Sequence, residues 1–257
     1  MSKSFVLGLT VGLLIVAVGA VGASRRQRAR EGKIQSQISR YNNELTDATE
    51  AQFGLLTENQ RINSRLLYPY RPTASKTIKE RLPLAEGRFL EIDVSGQGHA
   101  LIEPQTPESY FGELLSASDA VIHGTATKRT SAFTDDEAFI FTDYDFVLTE
   151  VLKGNADKTL TVGSTITVTR PGGKVVVDGI IVKAHDRGFE PLPLNRPLLL
   201  FLRYIPQTGT YSATRDVGTF EVDGSLIRSL SMSPYPPGVL RDGATYLQII
   251  RDISQQK

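Results

Sequence analysis

The chain has 257 residues with no cysteine and no tryptophan, and 29 Lys plus Arg stand against 28 Asp plus Glu for a formal net charge of +1. Without cysteine, disulfides, thiolate metal sites and a cysteine nucleophile are excluded, while the redox compartment stays open. A charge this close to balance gives no global field to draw nucleic acid, which is therefore not an expected partner.

The chain begins with an apolar run, Phe5 to Ala23, in which Thr10 is the one polar side chain and Gly8, Gly12, Gly19 and Gly22 are the weak helix formers. Such a run spans a hydrocarbon core of about 30 Å once. Residues 1–24 read as an uncleaved transmembrane anchor. A secretory signal is the alternative, with Lys3 as its charged start and Val21-Gly22-Ala23 as its cleavage site. The apolar stretch exceeds the ~7 to 15 residues usual for a signal. Arg25, Arg26, Arg28, Arg30 and Lys33 follow the run and Lys3 precedes it, so the positive-inside count places the body of this single-pass protein in the cytoplasm.

Residues 25–67 read as a juxtamembrane helix or stalk, proline-free from Gly32 and rich in Gln, Glu, Asn, Arg and Leu. A seven-residue frame places Ile34, Ile38, Tyr41, Leu45, Ala48, Gln52, Leu55, Asn59, Ile62 and Leu66 on one seam. This suggests a short coiled coil, and homo-oligomerisation through residues 34–66 is one reading of it. A helix lying on its own domain or on the bilayer surface is the other. Tyr68-Pro69-Tyr70-Arg71-Pro72 ends the helix and opens a linker over 68–84.

From residue 85 to 257 the period changes to alternation. Phe89–Val94 is a strand, and Thr106-Pro107-Glu108 opens a helix with Tyr110, Phe111, Leu114 and Leu115 on one face. Ala120 to Thr127 is a strand with a bulge expected at Gly124. Phe139 to Leu152 is the clearest strand, with Ile140, Thr142, Tyr144, Phe146 and Leu148 on the core side and Asp143, Asp145 and Thr149 on the wet side. In Leu160 to Arg170, Ile166 and Val168 point inward and Thr165, Thr167 and Thr169 outward. Pro171-Gly172-Gly173 is a turn, followed by strands over Lys174–Val182, Leu198–Leu202 and Thr210–Thr214, and by a hairpin from Gly218 to Ile227 turning at Asp223-Gly224. Asp242 caps a final helix with Tyr246, Leu247, Ile250 and Ile253 on one stripe, placed to cover an edge or open end of the sheet. The fold class expected is mainly β, an OB-like small barrel, with a β-sandwich as the alternative.

Five stretches carry a family resemblance: Ala120-Val121-Ile122-His123-Gly124-Thr125, Tyr144 through Gly154 with its Val-Leu-Lys-Gly ending, Arg170-Pro171-Gly172-Gly173, Leu198–Leu202 and Gly218-Thr219-Phe220-Glu221-Val222. Over about residues 106 to 230 the series resembles an uncharacterised bacterial domain of exported or membrane-anchored proteins. In strand order it is loosely similar to the OB-type barrels of netrin-like modules and tissue inhibitors of metalloproteinases. The resemblance implies an extracytoplasmic β domain, against the positive-inside count. Protease inhibition does not carry over, because those inhibitors depend on an amino-terminal cysteine and a disulfide framework that this chain lacks.

Catalytic signatures are sparse. His99, His123 and His185 show no metal spacing, and no Gly-x-Ser-x-Gly elbow occurs. Asp135, Asp136, Asp143 and Asp145, with Glu137, are the best local constellation for a hard cation, but their spacing does not match an EF-hand, and a solvated turn with a wet strand face is the stronger reading. The long segment Lys183 to Pro197 offers His185, Arg187, Phe189 and Arg196 as a candidate ligand loop. The reading that results is a membrane-anchored, noncatalytic interaction module of the cell envelope with no cofactor, its partner a protein, peptide or glycan. A hydrolase or metal-assisted enzyme using the acidic residues 135–145 and His123 is one alternative. A structural oligomer through the stalk is another.

Overall fold

Alternating apolar and polar side chains build most of the protein, and a computed structural model describes residues 45, 47–66, 76–85, 88–94, 106–186, 190–213, 218–223, 226–230, 248–252 and 254. The chain divides into two units at Asp47/Ala48. The run Phe5–Ala23 lies outside the described residues, among which no helix is long and apolar enough to cross a membrane.

In chain order the second unit contains β1 (Thr49–Glu50), α1 (Glu58–Leu66), α2 (Ile78–Arg81) with a 3-10 turn (Leu82–Leu84), β2 (Phe89–Val94), α3 (Pro107–Ala117), β3 (Ala120–Phe133) and β4 (Ile140–Lys153). It continues with β5 (Thr165–Pro171), β6 (Gly173–Val177), β7 (Ile180–Asp186), β8 (Pro197–Ile205), β9 (Thr210–Ala213), β10 (Thr219–Asp223) and β11 (Leu226–Ser229). The protein is mainly β, in two sheets. One has the order β1-β6-β7-β2; the other runs β11-β10-β8-β3-β4-β5-β9, with β9 also pairing β8. β5 and β9 run parallel, whereas β8 and β9, β8 and β3, β3 and β4, and β4 and β5 are antiparallel.

Three apolar groups hold the layers. Ile122, Tyr144, Phe146, Leu148, Ile166, Val168, Leu198, Leu200, Leu202 and Tyr211 pack on the inner face of the larger sheet. On its other side, Tyr110, Phe111, Leu114 and Leu115 of α3 meet Val121, Leu199, Phe201, Phe220 and Ile250. Phe133, Phe139 and Ile140 form the third group with Ile78, Ile92, Val175, Val177 and Val182, joining the smaller sheet to the far end of β3 and β4. Thr106 caps α3, accepting from the Ser109 amide at 3.2 Å, as its Thr-Pro-Glu opening predicts. At the other end of α3 the Lys153 ammonium donates to the carbonyls of Leu115 and Ser118. That gives the lysine of the Val-Leu-Lys-Gly segment a helix-capping role.

Several sequence expectations need correction. No unbroken helix covers 32–67: Thr49–Glu50 is a strand, Gly54 adopts φ +74°, and the helix starts again at Glu58. A capping pair restarts it, the Thr57 amide donating to Gln60 Oε1 and the Gln60 amide to Thr57 Oγ1. The heptad seam fails with it, since Leu55 and Leu66 are exposed while Asn63 and Ser64 are buried; residues 34–44 lie outside the described residues. The expected linker 68–84 contains α2, whose Ile78 is fully buried and whose capping box is Thr77 with Glu80. The single strand Lys174–Val182 is a hairpin, because Asp178 and Gly179 both take positive φ. β10 and β11 pair through Asp223↔Leu226, so their connection is residues 224–225, one position later than expected. Residues 248–252 of the expected final helix are helical and bury Ile250, whereas Asp242, Tyr246, Leu247 and the Ile253 side chain lie outside the described residues.

The bulge expected at Gly124 is present, as a register shift between His123 and Gly124. A Cβ on Gly124 would stand 2.1 Å from the Val147 carbonyl oxygen and 2.6 Å from a Phe146 ring carbon. Neither neighbour can yield, one being backbone and the other a fully buried ring. Gly124→Ala should therefore cost about 2 to 3 kcal/mol by overpacking, read as a lower denaturant midpoint in chemical unfolding.

Candidate functional site

The period-2 pattern of β5 that points Ile166 and Val168 inward continues to Arg170, which is 2% exposed. Its Cα partner on β4 is Thr142, and the next inward pair is Tyr144 with Val168. Immediately after Arg170 the chain leaves the larger sheet and enters the smaller one through Pro171, Gly172 and Gly173. The Gly172 amide donates to the Ile140 carbonyl at 2.8 Å, and Thr142 Oγ1 donates to the Gly172 carbonyl at 2.8 Å. A Cβ on Gly173 would meet Thr142 Oγ1 at 2.2 Å, so this glycine is required by packing.

A small recess opens at this crossing, its wall containing Tyr144, Arg170, His185, Glu190 and the two glycines. Tyr144 Oη accepts from the Leu192 amide at 3.3 Å, which fixes the phenol. Burial pushes the Tyr144 hydroxyl above its ordinary range and the Arg170 charge opposes the shift, so the neutral phenol persists as a hydrogen-bonding group. Arg170 is a fork of donors at low dielectric. With an imidazole and a carboxylate on the same wall, the recess suits recognition of a small polar group, and no cysteine, serine or threonine is among the described residues that line it.

The candidate ligand loop contributes in part. His185 lines the recess, whereas Arg196 donates through Nε to Glu221 at 2.9 Å beside Arg228, which donates to the same carboxylate at 2.7 Å. Hydrogen bonds from Arg228, then from Arg196, hold Glu221 below its usual range. Arg196 thus clasps β8 to β10. Arg187 and Phe189 lie outside the described residues.

The acidic residues are used structurally. Asp135 pairs with Arg61 at 3.4 Å and with Arg65 at 3.0 Å, and its amide donates to Ser64 Oγ. Asp136 accepts from Thr134 Oγ1 at 2.6 Å. Asp143 accepts from Thr169 Oγ1 and also bonds Gln60; its carboxyl is raised, chiefly by burial. Asp145 lies opposite Thr167. Among the described residues no group of three or more His, Asp or Glu is arranged to hold a metal ion. His123 does not join them: it pairs with Glu150, and Asp143 pairs with Thr130, seven positions further along β3, on the order of 23 Å away at strand rise.

His123 belongs to a different cluster. Its Nδ1 bonds Thr149 Oγ1 at 3.1 Å, its Nε2 is buried, and Arg251 grips neighbouring Glu150 through two bonds of 3.0 Å. The sequence reading missed Arg170 and Tyr144 as a pair, although extending the inward positions of β5 by two residues finds the arginine. The chain matches no family model and no curated protein.

Burial depresses His123 below its ordinary value of 6.5, and the Arg251 charge adds to the effect against Glu150. A depressed folded-state value means that stability is complete above about pH 6.5 and is lost as pH falls through the folded value. His123→Gln should flatten that acid limb in urea titrations taken from pH 7 to pH 5 and leave stability at pH 8 little changed.

Proposed function

We propose that the chain is a membrane-anchored, noncatalytic interaction module of the cell envelope, and that its β domain is an OB-like barrel. The barrel reading is supported by the pairings, since β3, β4, β5, β9 and β8 each hydrogen-bond the next and β8 returns to β3, with a single parallel step at β5–β9. The large apolar group whose members come from all five strands fits an interior of that kind. The extracytoplasmic placement extends the resemblance of residues 106–230 to exported bacterial domains, and the positive-inside count runs against it.

The observation that carries the functional reading is the recess at Arg170 and Tyr144, where a buried guanidinium and an oriented neutral phenol face one small space. A ligand group there is bound through hydrogen bonds. The separation of His123 from Asp143 and the ion pairs of Asp135 weigh against the hydrolase alternative. The partner is a protein, peptide or glycan that presents a small polar group.

Two measurements test this. A reporter active on one side of the membrane, fused after Lys257, should report the exported side; a cytoplasmic signal overturns the placement. Full-length protein in detergent should bind a member of an array of envelope peptides and glycans. Tyr144→Phe should weaken that binding roughly tenfold, the loss expected for one buried hydrogen bond, and, because it strips the buried Leu192 amide of its acceptor, lower the melting temperature by a few degrees while the domain stays folded at the assay temperature. Unchanged affinity overturns the recess as the site.

A further inference from the structure

Helix α1 is attached in a way that no other described helix is. Its buried residues are Asn63 and Ser64, both polar, while Ile62 is half-buried and Leu66 is exposed. Asn63 Nδ2 donates to Thr169 Oγ1 at 3.0 Å, and its Oδ1 accepts from Thr208 Oγ1 at 2.9 Å and from Thr210 Oγ1 at 3.2 Å. One amide therefore reads three hydroxyls, from β5, from β9 and from the turn before β9. Around it Gln60 bonds Asp143, Ser64 Oγ accepts from the Asp135 amide, and Arg61 and Arg65 pair with the Asp135 carboxylate. By contrast, α3 buries Tyr110, Phe111, Leu114 and Leu115.

We propose that α1 is a detachable strap over the outer face of β4, β5 and β9 that folds on docking and melts on release. Three observations favour it. Release transfers no fully buried apolar side chain of the helix itself to water, the groups that Asn63 holds are the hydroxyls of Thr169, Thr208 and Thr210, which water solvates, and the apolar contact given up is that of the half-buried Leu56 with Ala132 and Phe141. A nine-residue helix is below the length that is stable alone in water, so the undocked segment unfolds. A hinge is in place as well: Gly54 has φ +74° and no atom within 4 Å of its Cβ position, and the chain before it is held by β1 pairing with β6 and by the Phe53 ring stacked on Phe133. The strap thus opens without breaking a strand pairing of either sheet. Its opening uncovers Asp143, Thr169 and Thr210 together, a face separate from the recess at Arg170.

Amide hydrogen exchange of the full-length protein in detergent tests this. Residues 58–66 should exchange at least a hundredfold faster than β3 and β8, with β3 and β8 retaining global protection. Replacing both ion-pair donors, Arg61→Gln with Arg65→Gln, should raise exchange in 58–66 several-fold further and leave β3 and β8 unchanged. Because the chain has no native cysteine, a single Thr169→Cys thiol provides a second readout. It should react with a maleimide under native conditions, whereas Val168→Cys on the opposite face of β5 should not. Exchange of 58–66 in step with β3 and β8, or equal protection of the two thiols, overturns the proposal.

Discussion

The long antiparallel pairing of β3 with β4 is the constraint on which the rest of the molecule depends. All three apolar groups take residues from one or both of these strands. A straight ribbon of this length cannot serve three layers, and it is bent by register shifts at Val121/Ile122, His123/Gly124 and Ala126/Lys128. At the second of these shifts the backbone of β4 approaches so closely that no Cβ fits, which explains the glycine at position 124. Beyond the bends the strands continue to Phe133 and Ile140, where they leave the larger core and pack against the smaller sheet.

Charge is distributed according to the same plan. The recess lies where the chain changes sheets, so Arg170 ends an inward row of side chains and its guanidinium comes to rest among buried groups. The other ionic contacts fasten elements to the outside of the sheets: Arg251 to Glu150, Arg196 and Arg228 to Glu221, Arg61 and Arg65 to Asp135. Each is partly solvated and worth little alone. Together they fix which face of each peripheral element looks inward.

Strand periodicity was the most legible feature of the sequence. In β4 the alternation of Tyr144, Phe146 and Leu148 with Asp143, Asp145 and Val147 reappears as alternating burial, because a half-buried strand writes its environment into every second residue. The helix α3 was equally plain from Thr106-Pro107 and its apolar stripe. The segment from residue 48 to 66 was not. Its seven-residue frame offered a coiled coil or a helix lying on its own domain, and α1 lies on the domain, but through Asn63 and Ser64, which are buried because their partners are hydroxyls and a backbone amide rather than apolar groups, and no hydrophobic pattern encodes such a contact. The hairpin at Asp178-Gly179 was written in the same dipeptide type that located the β10–β11 connection. The charged wall of the recess draws on residues from β4, β5, β7 and the segment after β7, and only the folded arrangement brings them to one place.

The pairing of β1 with β6 has a consequence for how the chain is made. Thr49 lies beside Val175, and Phe89 of β2 lies beside Ile181, so each early strand has its partner encoded far downstream. Contacts of such sequence separation slow folding, because loop closure precedes their reward. The β3–β4 hairpin is local in sequence, whereas the edges these strands share with β8 and β5 need residues made later. β2 stays without its partner strand until β7 has emerged, so Ile92, buried in the finished fold, has no cover on a nascent chain until about ninety further residues have been made.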